Sequence, residues 1–295
     1  MSSTTHAAAV AGTAADGPQG RSTVVKLLSR VPEVTLYFWI IKILATTVGE
    51  TGADNLDSRF DLGLTKLTMI MGAVLAGALV IQFSLKRYVP VAYWTAVVLI
   101  SVVGTLITDN LTDNLGVPLA TSTLVFSVAL ALTFAAWWAK ERTLSIHSIV
   151  TGRREAFYWL AILFTFALGT AAGDLIAEQS GLGYFVSALL FGGAIAAVTL
   201  AHFKAGLDAV LAFWIAYILT RPLGASLGDW LSQPKADGGL GFGTTTTSEL
   251  FLASILSIVV ILTITRKDRI EVEVGHPQHH PHVSPRAVPV ADSVS

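Results

Sequence analysis

The chain has 295 residues, of which 53% are hydrophobic and 13% charged, with a formal net charge of −1 and no cysteine. Charged residues make up about 25% of ordinary globular chains, so a soluble protein this poor in charge could not cover its own surface. The near-zero net charge gives no reason to expect a nucleic-acid partner, and the lack of cysteine excludes disulfides, thiolate metal sites and a catalytic thiol. The composition indicates an integral membrane protein.

Eight apolar runs approach or reach the length of about 20 residues with which a helix crosses a bilayer. The runs are continuous and do not alternate every second residue, which favours helices over barrel strands. The sequence therefore predicts an all-α integral membrane protein with eight transmembrane helices. In chain order they lie near residues 34–54, 64–85, 91–110, 118–139, 156–176, 183–203, 209–230 and 247–265.

The positions of Lys and Arg predict the orientation. Fourteen of the nineteen fall on the side of the chain termini and three on the opposite side. Because Lys and Arg concentrate in cytoplasmic loops, both termini are predicted to be cytoplasmic. Residues 1–20 lack the features of a cleavable signal peptide, so the first span is expected to act as an uncleaved anchor.

The two ends of the chain are predicted to be disordered cytoplasmic tails, residues 1–30 and 267–295. The second tail contains histidines that are weak candidates for loose Zn²⁺, Ni²⁺ or Cu²⁺ binding, and a tail without metal is the alternative. These are His276, His279, His280 and His282.

Four stretches of the chain align without a gap and share the pattern [FY]-W-x9-G-x4-D. Successive copies are offset by 55, 65 and 55 residues, and four of the seven tryptophans occupy one column of the alignment. Each copy holds two spans, so all copies start on the same side of the membrane, as in parallel repeats, with halves at 31–145 and 146–266. A Leu-Gly step precedes each second helix, at Gly63, Gly116, Gly183 and Gly241. The pattern comprises Trp39, Trp94, Trp159 and Trp214, then Gly49, Gly104, Gly169 and Gly224, then Asp54, Asp109, Asp174 and Asp229.

This arrangement resembles the bacterial family of uncharacterised membrane-anchored proteins built from four tandem two-helix repeats of unknown function, each with a hallmark Trp. The resemblance covers about residues 31–266. It implies the repeat architecture and a multi-pass protein of the bacterial inner (plasma) membrane. It implies no activity, and it supplies no catalytic or binding residues.

The repeat aspartates are the first candidate site. Each lies about 22 Å along its helix from the repeat Trp, and Trp favours the headgroup boundary, here the cytoplasmic one. Four aspartates at one depth would form an acidic ring that attracts cations. The alternative is that each Asp ends its span and caps the turn or loop that follows.

A second column lies four residues before the aspartates, on the same helix face. It contains Glu50, Thr105, Thr170 and Ala225. Glu50 is about 16 Å past Trp39, near the bilayer midplane, where a charge costs at least about 2.5–3.5 kcal/mol and marks a functional-site hypothesis. The threonines could instead be bonded to their own backbone.

Two basic residues lie within predicted spans. Arg221 is expected to contact Glu50 or one of the repeat aspartates, either as part of a solute pathway or as a link between the first and last repeats. Pro222 follows it and is expected to loosen that span. Lys42 is close to Trp39, and its side chain is expected to reach the cytoplasmic interface. Gly72 and Gly192 begin small-residue pairs, with Ala76 and Ala196, that are expected to let the second helices approach their neighbours.

These features favour a secondary transporter or exporter of a small solute, with a cation preferred and proton coupling left open. The alternative is a non-transporting membrane scaffold or regulator in which the repeat Trp, Gly and Asp residues are structural. An enzyme is disfavoured, because the chain has no HExxH and no Cys. No cofactor is expected. The expected partners are the lipid bilayer and a small ion or solute, and homo-oligomer formation stays open.

Overall fold

The computed structural model describes residues 29–179 and 181–268. These residues form eight long helices and no strand. The predicted tails, with their four histidines, lie almost entirely outside the described residues. The helices are α1 (Leu36–Phe60), α2 (Leu64–Ser84), α3 (Pro90–Asp109), α4 (Leu119–Glu141), α5 (Gly152–Asp174), α6 (Gly183–Ala205), α7 (Ala209–Ser232) and α8 (Thr244–Thr265).

Helices α2 to α8 are long and apolar enough to cross a membrane. The predicted helical, multi-span character is confirmed for these seven. Helix α1 is equally long but carries Lys42, Glu50 and Asp54, charges that a helix surrounded by lipid does not tolerate. The predicted boundaries hold to within about four residues except at the end of α1, which continues to Phe60.

The first helices of the four repeats form an inner ring. Helix α1 packs against α3, α3 against α5, α5 against α7, and α7 against α1, which closes the ring. Each second helix packs mainly against the first helix of the next repeat, and α8 packs against α1. The outer helices therefore surround the ring with the same pseudo-four-fold arrangement. We call the end where the inner helices begin the Trp end, and the opposite end the Asp end.

Glycine at the predicted Leu-Gly steps has one conformation in all four repeats. The chain turns there between an inner and an outer helix. The φ angle of the glycine is positive each time, and residues with a Cβ rarely adopt a positive φ. The values are 76° at Gly63, 67° at Gly116, 72° at Gly183 and 78° at Gly241. The turn therefore requires glycine at this position, which explains why the Leu-Gly step recurs in every repeat.

The repeat glycines are the points of closest approach between inner helices. A Cβ added to any of them would lie 2.5–2.7 Å from the Cβ of a residue on the next inner helix, so only glycine fits. The expectation of close approach through the outer helices is wrong for Gly72, which has no neighbouring atom within 4 Å of an added Cβ, and Gly192 makes only an ordinary contact. The inner pairs are Gly49 with Ser101, Gly104 with Phe166, Gly169 with Arg221, and Gly224 with Thr46.

A segment before α1, residues 29–35, crosses the Trp end, and we call it the strap. Tyr88 N donates a hydrogen bond to Ser29 O (2.9 Å), Arg30 N donates to Ile149 O (3.0 Å), and Glu33 N donates to Asp268 O (2.9 Å). These acceptors and donors lie in the α2–α3 connection, in the α4–α5 connection and after α8. The strap therefore ties two inter-helix connections and the segment after α8 together at the Trp end.

A buried ion pair fixes the strap. Arg30 Nη1 lies 2.7 Å from Glu155 Oε2, and the Glu155 side chain has no exposed surface. Gln82 Nε2 donates to the other Glu155 oxygen at 3.0 Å. Nearby, the Tyr88 hydroxyl donates to Asp268 at 2.5 Å, and burial together with the Asp268 carboxylate raises the pKa of Tyr88 above its usual range.

We expect Arg30→Ala to lower the free energy of unfolding by about 1–3 kcal/mol, because it leaves the buried Glu155 carboxylate short of a charged donor. Thermal unfolding in detergent micelles measures the change. Arg87→Ala is the matched control, since Arg87 is exposed on the same end of the bundle. Equal stability of the two variants would contradict a stabilising role for the Arg30–Glu155 pair.

Candidate functional site

Five layers of side chains stack along the axis of the inner ring. Residues four apart share one face of a helix, and each inner helix contributes one residue to each layer. All residues of the first four layers, counted from the Trp end, are at most 9% exposed. The layers are the aromatic layer (Phe38, Tyr93, Tyr158, Phe213), the lysine layer (Lys42, Val97, Ile162, Tyr217), the arginine layer (Thr46, Ser101, Phe166, Arg221), the glutamate layer (Glu50, Thr105, Thr170, Ala225) and the aspartate layer (Asp54, Asp109, Asp174, Asp229).

The aspartate layer opens onto a cavity of about 230 Å³ at the Asp end. All four repeat aspartates and Glu50 line it, so the structure brings both predicted acidic positions into one space. Asp54, Asp109 and Asp174 are half-buried, and Asp229 is buried. We call this space the acidic cavity.

The acidic cavity is lined by seven carboxylates and, among the described residues, by no Lys, Arg or His. Carboxylate oxygens of Glu50, Asp174 and Asp229 can be chosen within 4.8 Å of one another. A wall of this kind attracts cations and offers them hard oxygen ligands. The seven are Glu50, Asp54, Asp57, Asp109, Asp113, Asp174 and Asp229.

None of the repeat aspartates is the N-cap residue of an outer helix, and two of them, Asp109 and Asp174, end α3 and α5, as the alternative interpretation expected for every copy. The N-cap positions of α2, α4, α6 and α8 are Gly63, Pro118, Leu182 and Gly243. Asp54 and Asp229 lie inside α1 and α7, and π-helical turns at Asn110–Asn114 and Leu175–Gln179 follow the other two. Such turns occur often at functional sites.

Glu50 lines the acidic cavity and forms a buried ion pair with Arg221, which does not line it. Arg221 Nη2 lies 2.8 Å from Glu50 Oε2, and the two side chains are 0% and 8% exposed. The contact expected from the sequence between these residues is present. Helix α7 continues through Pro222 to Ser232, so the proline does not end the helix that holds Arg221.

Arg221 is also held by uncharged oxygens from three repeats. Its Nη1 donates to the backbone oxygen of Thr46 at 2.9 Å, and its Nη2 donates to Thr170 Oγ1 at 2.7 Å. Nη2 also donates to Thr105 Oγ1. Each of these two threonines also donates a hydrogen bond to the backbone carbonyl four residues earlier, at 3.3 Å, as the alternative interpretation expected. They therefore bond to their own helix and accept from Arg221 at the same time.

Lys42 does not reach the Trp-end interface, so that expectation is wrong. Its side chain has no exposed surface, and Nζ lies 4.1 Å from the ring centroid of Phe166 and 4.3 Å from that of Tyr217. Nζ has no hydrogen-bond partner among the described residues. The cause is its position: Lys42 is four residues from Phe38 and eight from Glu50, on the face of α1 that points into the ring.

The repeat tryptophans also differ from the expected placement at a headgroup boundary. Trp94, Trp159 and Trp214 are 2–4% exposed, because the outer helices enclose the ends of the inner ones, and Trp39 is half-buried. Trp214 Nε1 donates to Leu144 O at 2.9 Å. These side chains pack between helices and do not form a belt toward lipid.

Sequence reasoning assigned no role to the [FY] position of the repeat pattern, which forms the aromatic layer, and it missed the lysine layer. The aromatic layer closes the Trp side of the axis, where the Tyr93 and Tyr158 hydroxyls hydrogen-bond to each other and Phe38 lies 6.0 Å from Phe213 between ring centroids. A search for residues at four-residue steps back from each repeat aspartate would have found both layers.

Four segments of the chain match the family model described as Repeat of Unknown Function (DUF347), at residues 37–88, 92–143, 157–207 and 212–268. The chain belongs to this family. Each DUF347 segment contains one inner and one outer helix, so the predicted four-repeat resemblance is confirmed. Comparison with curated proteins and with solved structures gave no match. The use of the acidic cavity therefore has to be argued from the geometry of the DUF347 repeats.

Proposed function

We propose that this protein is a secondary transporter that moves a small cation along the axis of the inner ring. One observation carries the proposal: the acidic cavity reaches a buried ion pair, because Glu50 both lines the cavity and binds Arg221. Ionisable groups at the depth of a bilayer are costly and mark ion or solute pathways.

The acidic cavity provides the binding step. Seven carboxylates raise the local concentration of cations, and carboxylate oxygens replace water in the hydration shell of an ion. Thr112, Tyr184 and Gln233 also line the space and add neutral oxygens. We assign the selection of cations over anions to this cavity.

The Trp side of the axis provides the closed gate. Between the glutamate layer and the Trp end, the residues of the arginine, lysine and aromatic layers are buried, and the strap lies across the Trp end. With the Lys and Arg distribution of the loops, the Asp end faces outward and both termini lie in the cytoplasm of a bacterial cell. In this assignment α1 is the eighth span, and the structure is the outward-open state of an alternating-access cycle.

The packing of the outer helices suggests which parts move together. Helix α4 packs on α5, and α8 packs on α1. If the two halves of the sequence, α1 to α4 and α5 to α8, moved against each other, both of these helix contacts would break. We infer that one moving unit is α8, α1, α2 and α3, and the other is α4 to α7. Each unit then keeps every outer helix with the inner helix on which it packs.

A scaffold without transport is the second candidate. It is favoured by the hydrogen bonds of Arg221, which join residues of repeats one, two and three to the fourth. A scaffold role predicts no dependence of any flux on the repeat aspartates.

Cation and proton flux in reconstituted liposomes tests the proposal. We expect Glu50→Gln and Asp54→Asn each to reduce the rate at least about tenfold, equivalent to about 1.4 kcal/mol in the barrier. Asp237→Asn is the control, because Asp237 is exposed at the Asp end and does not line the acidic cavity. No flux of any tested cation from folded wild-type protein would overturn the proposal in favour of the scaffold.

A further inference from the structure

We propose that the group of oxygens around the Arg221 guanidinium is itself a cation site, which Arg221 occupies in place of the transported ion. We call these oxygens the oxygen cage: Glu50 Oε2, Thr105 Oγ1, Thr170 Oγ1 and the Thr46 carbonyl. The inference deepens the proposed function and rests on it for its role in transport. It assigns the solute class as a cation of single positive charge bound by hard oxygen ligands.

The composition of the oxygen cage supports a cation ligand. It consists of one carboxylate oxygen, two hydroxyl oxygens and one backbone oxygen, all within hydrogen-bond distance of the same guanidinium. Alkali cations take this kind of oxygen set in membrane proteins. A positive group already sits there, so the site is complete and is not merely a cluster of acids.

Charge balance sets the valence. The Glu50 carboxylate contributes the single formal charge of the oxygen cage, and Arg221 neutralises it. An incoming ion with one positive charge would restore the same balance after Arg221 leaves. The other six carboxylates of the acidic cavity are outside the oxygen cage: four form the aspartate layer, one helical turn farther toward the Asp end, and the other two are Asp57 and Asp113.

Glu50 connects the acidic cavity to the oxygen cage. It lines the cavity and binds Arg221 at the same time. A cation that passes the aspartate layer therefore meets a carboxylate that is already paired, and it can bind in the cage only when the guanidinium moves away. Binding of the ion and binding of Arg221 to Glu50 exclude each other.

The Cβ end of the Arg221 side chain is fixed by packing, whereas its guanidinium can be removed by substitution. An added Cβ on Gly169 would lie 2.5 Å from Arg221 Cβ, so the start of the side chain is wedged between α5 and α7. Arg221→Gln keeps this part of the side chain and removes the charge. The variant therefore empties the oxygen cage of its cation with little change in helix packing.

The test is cation-dependent thermal unfolding of purified full-length protein in detergent. The probes are Na⁺ and guanidinium, and choline at equal concentration is the control for ionic strength. We expect Arg221→Gln to show a saturable rise in Tm with either probe, at a half-saturating concentration at least about tenfold below that of wild type. Glu50→Gln/Arg221→Gln should lose this difference, because the only carboxylate of the cage is gone.

Arg221→Lys keeps the test decisive if Arg221→Gln does not fold. Its ammonium is a single charge on a shorter stem and makes no forked contact, so it fills the cage less well and the half-saturating concentration should still fall severalfold below wild type. Unchanged cation responses in the folded Arg221 variants, or a response that persists without Glu50, would overturn the inference. Liposome flux is scored separately, so cation binding without wild-type flux would refute transport while retaining the cage.

Discussion

Glu50→Gln is expected to lower the free energy of unfolding by about 3–5 kcal/mol, the usual cost of removing one partner from a buried ion pair. The Arg221 guanidinium has no exposed surface and would keep its charge among Thr46, Thr105 and Thr170. Its hydrogen bonds to these three threonines would remain, but its charged hydrogen bond to the Glu50 carboxylate would be lost. The measurement is unfolding of the purified protein in mixed detergent micelles.

A double variant separates the ion pair from the fold. Glu50→Gln/Arg221→Met removes both charges, and we expect it to regain most of the lost stability, since paired buried charges can often be replaced by apolar groups at little cost. Glu249→Gln is the matched control, because Glu249 is exposed on α8. If the double variant is less stable than Glu50→Gln alone, the pair does not act as an interacting unit.

Gly104→Ala is expected to destabilise the protein by about 1–3 kcal/mol, although Ala is the better helix former. The new Cβ would lie 2.7 Å from Phe166 Cβ and 3.3 Å from the backbone nitrogen of Ala167. Neither atom can move without moving α5, so the inner ring must open at this contact. The same detergent unfolding assay measures the effect.

Gly193→Ala gives the opposite sign at a matched position. Gly193 lies inside α6 and is exposed, with no atom within 4 Å of an added Cβ. There the helix propensity of Ala acts alone, and we expect no loss of stability and a gain of up to about 1 kcal/mol. A loss at Gly193 equal to that at Gly104 would show that close helix contact is not the reason for the repeat glycine.

Much of this architecture could be predicted because the repeat is written four times in the sequence. The alignment alone identified Gly49 and Gly104, and likewise Asp54 and Asp109, as equivalent positions of the repeat. The apolar runs predicted the helix boundaries to within a few residues. Depth predicted that Arg221 contacts Glu50 or one of the repeat aspartates, because a charge so far inside a span needs a partner; in the structure Glu50 is such a partner.

The errors come from neighbours that a single span cannot reveal. Lys42 near a helix end reads as a residue that extends to the interface, but its environment is set by Phe166 and Tyr217 from two other repeats. The repeat tryptophans were misplaced for the same reason. Sequence position gives depth along a helix, whereas the direction of a side chain depends on which helix lies beside it.

Each outer helix packs on the inner helix of the next repeat, and α8 packs on α1, so the packing does not depend on where the chain begins. Glu33 and Asp268 are joined by a backbone hydrogen bond, so the start and the end of the four-repeat unit meet at one point of a closed circle. A circularly permuted protein that starts at α3 and joins α8 to α1 through a short linker would preserve every helix contact.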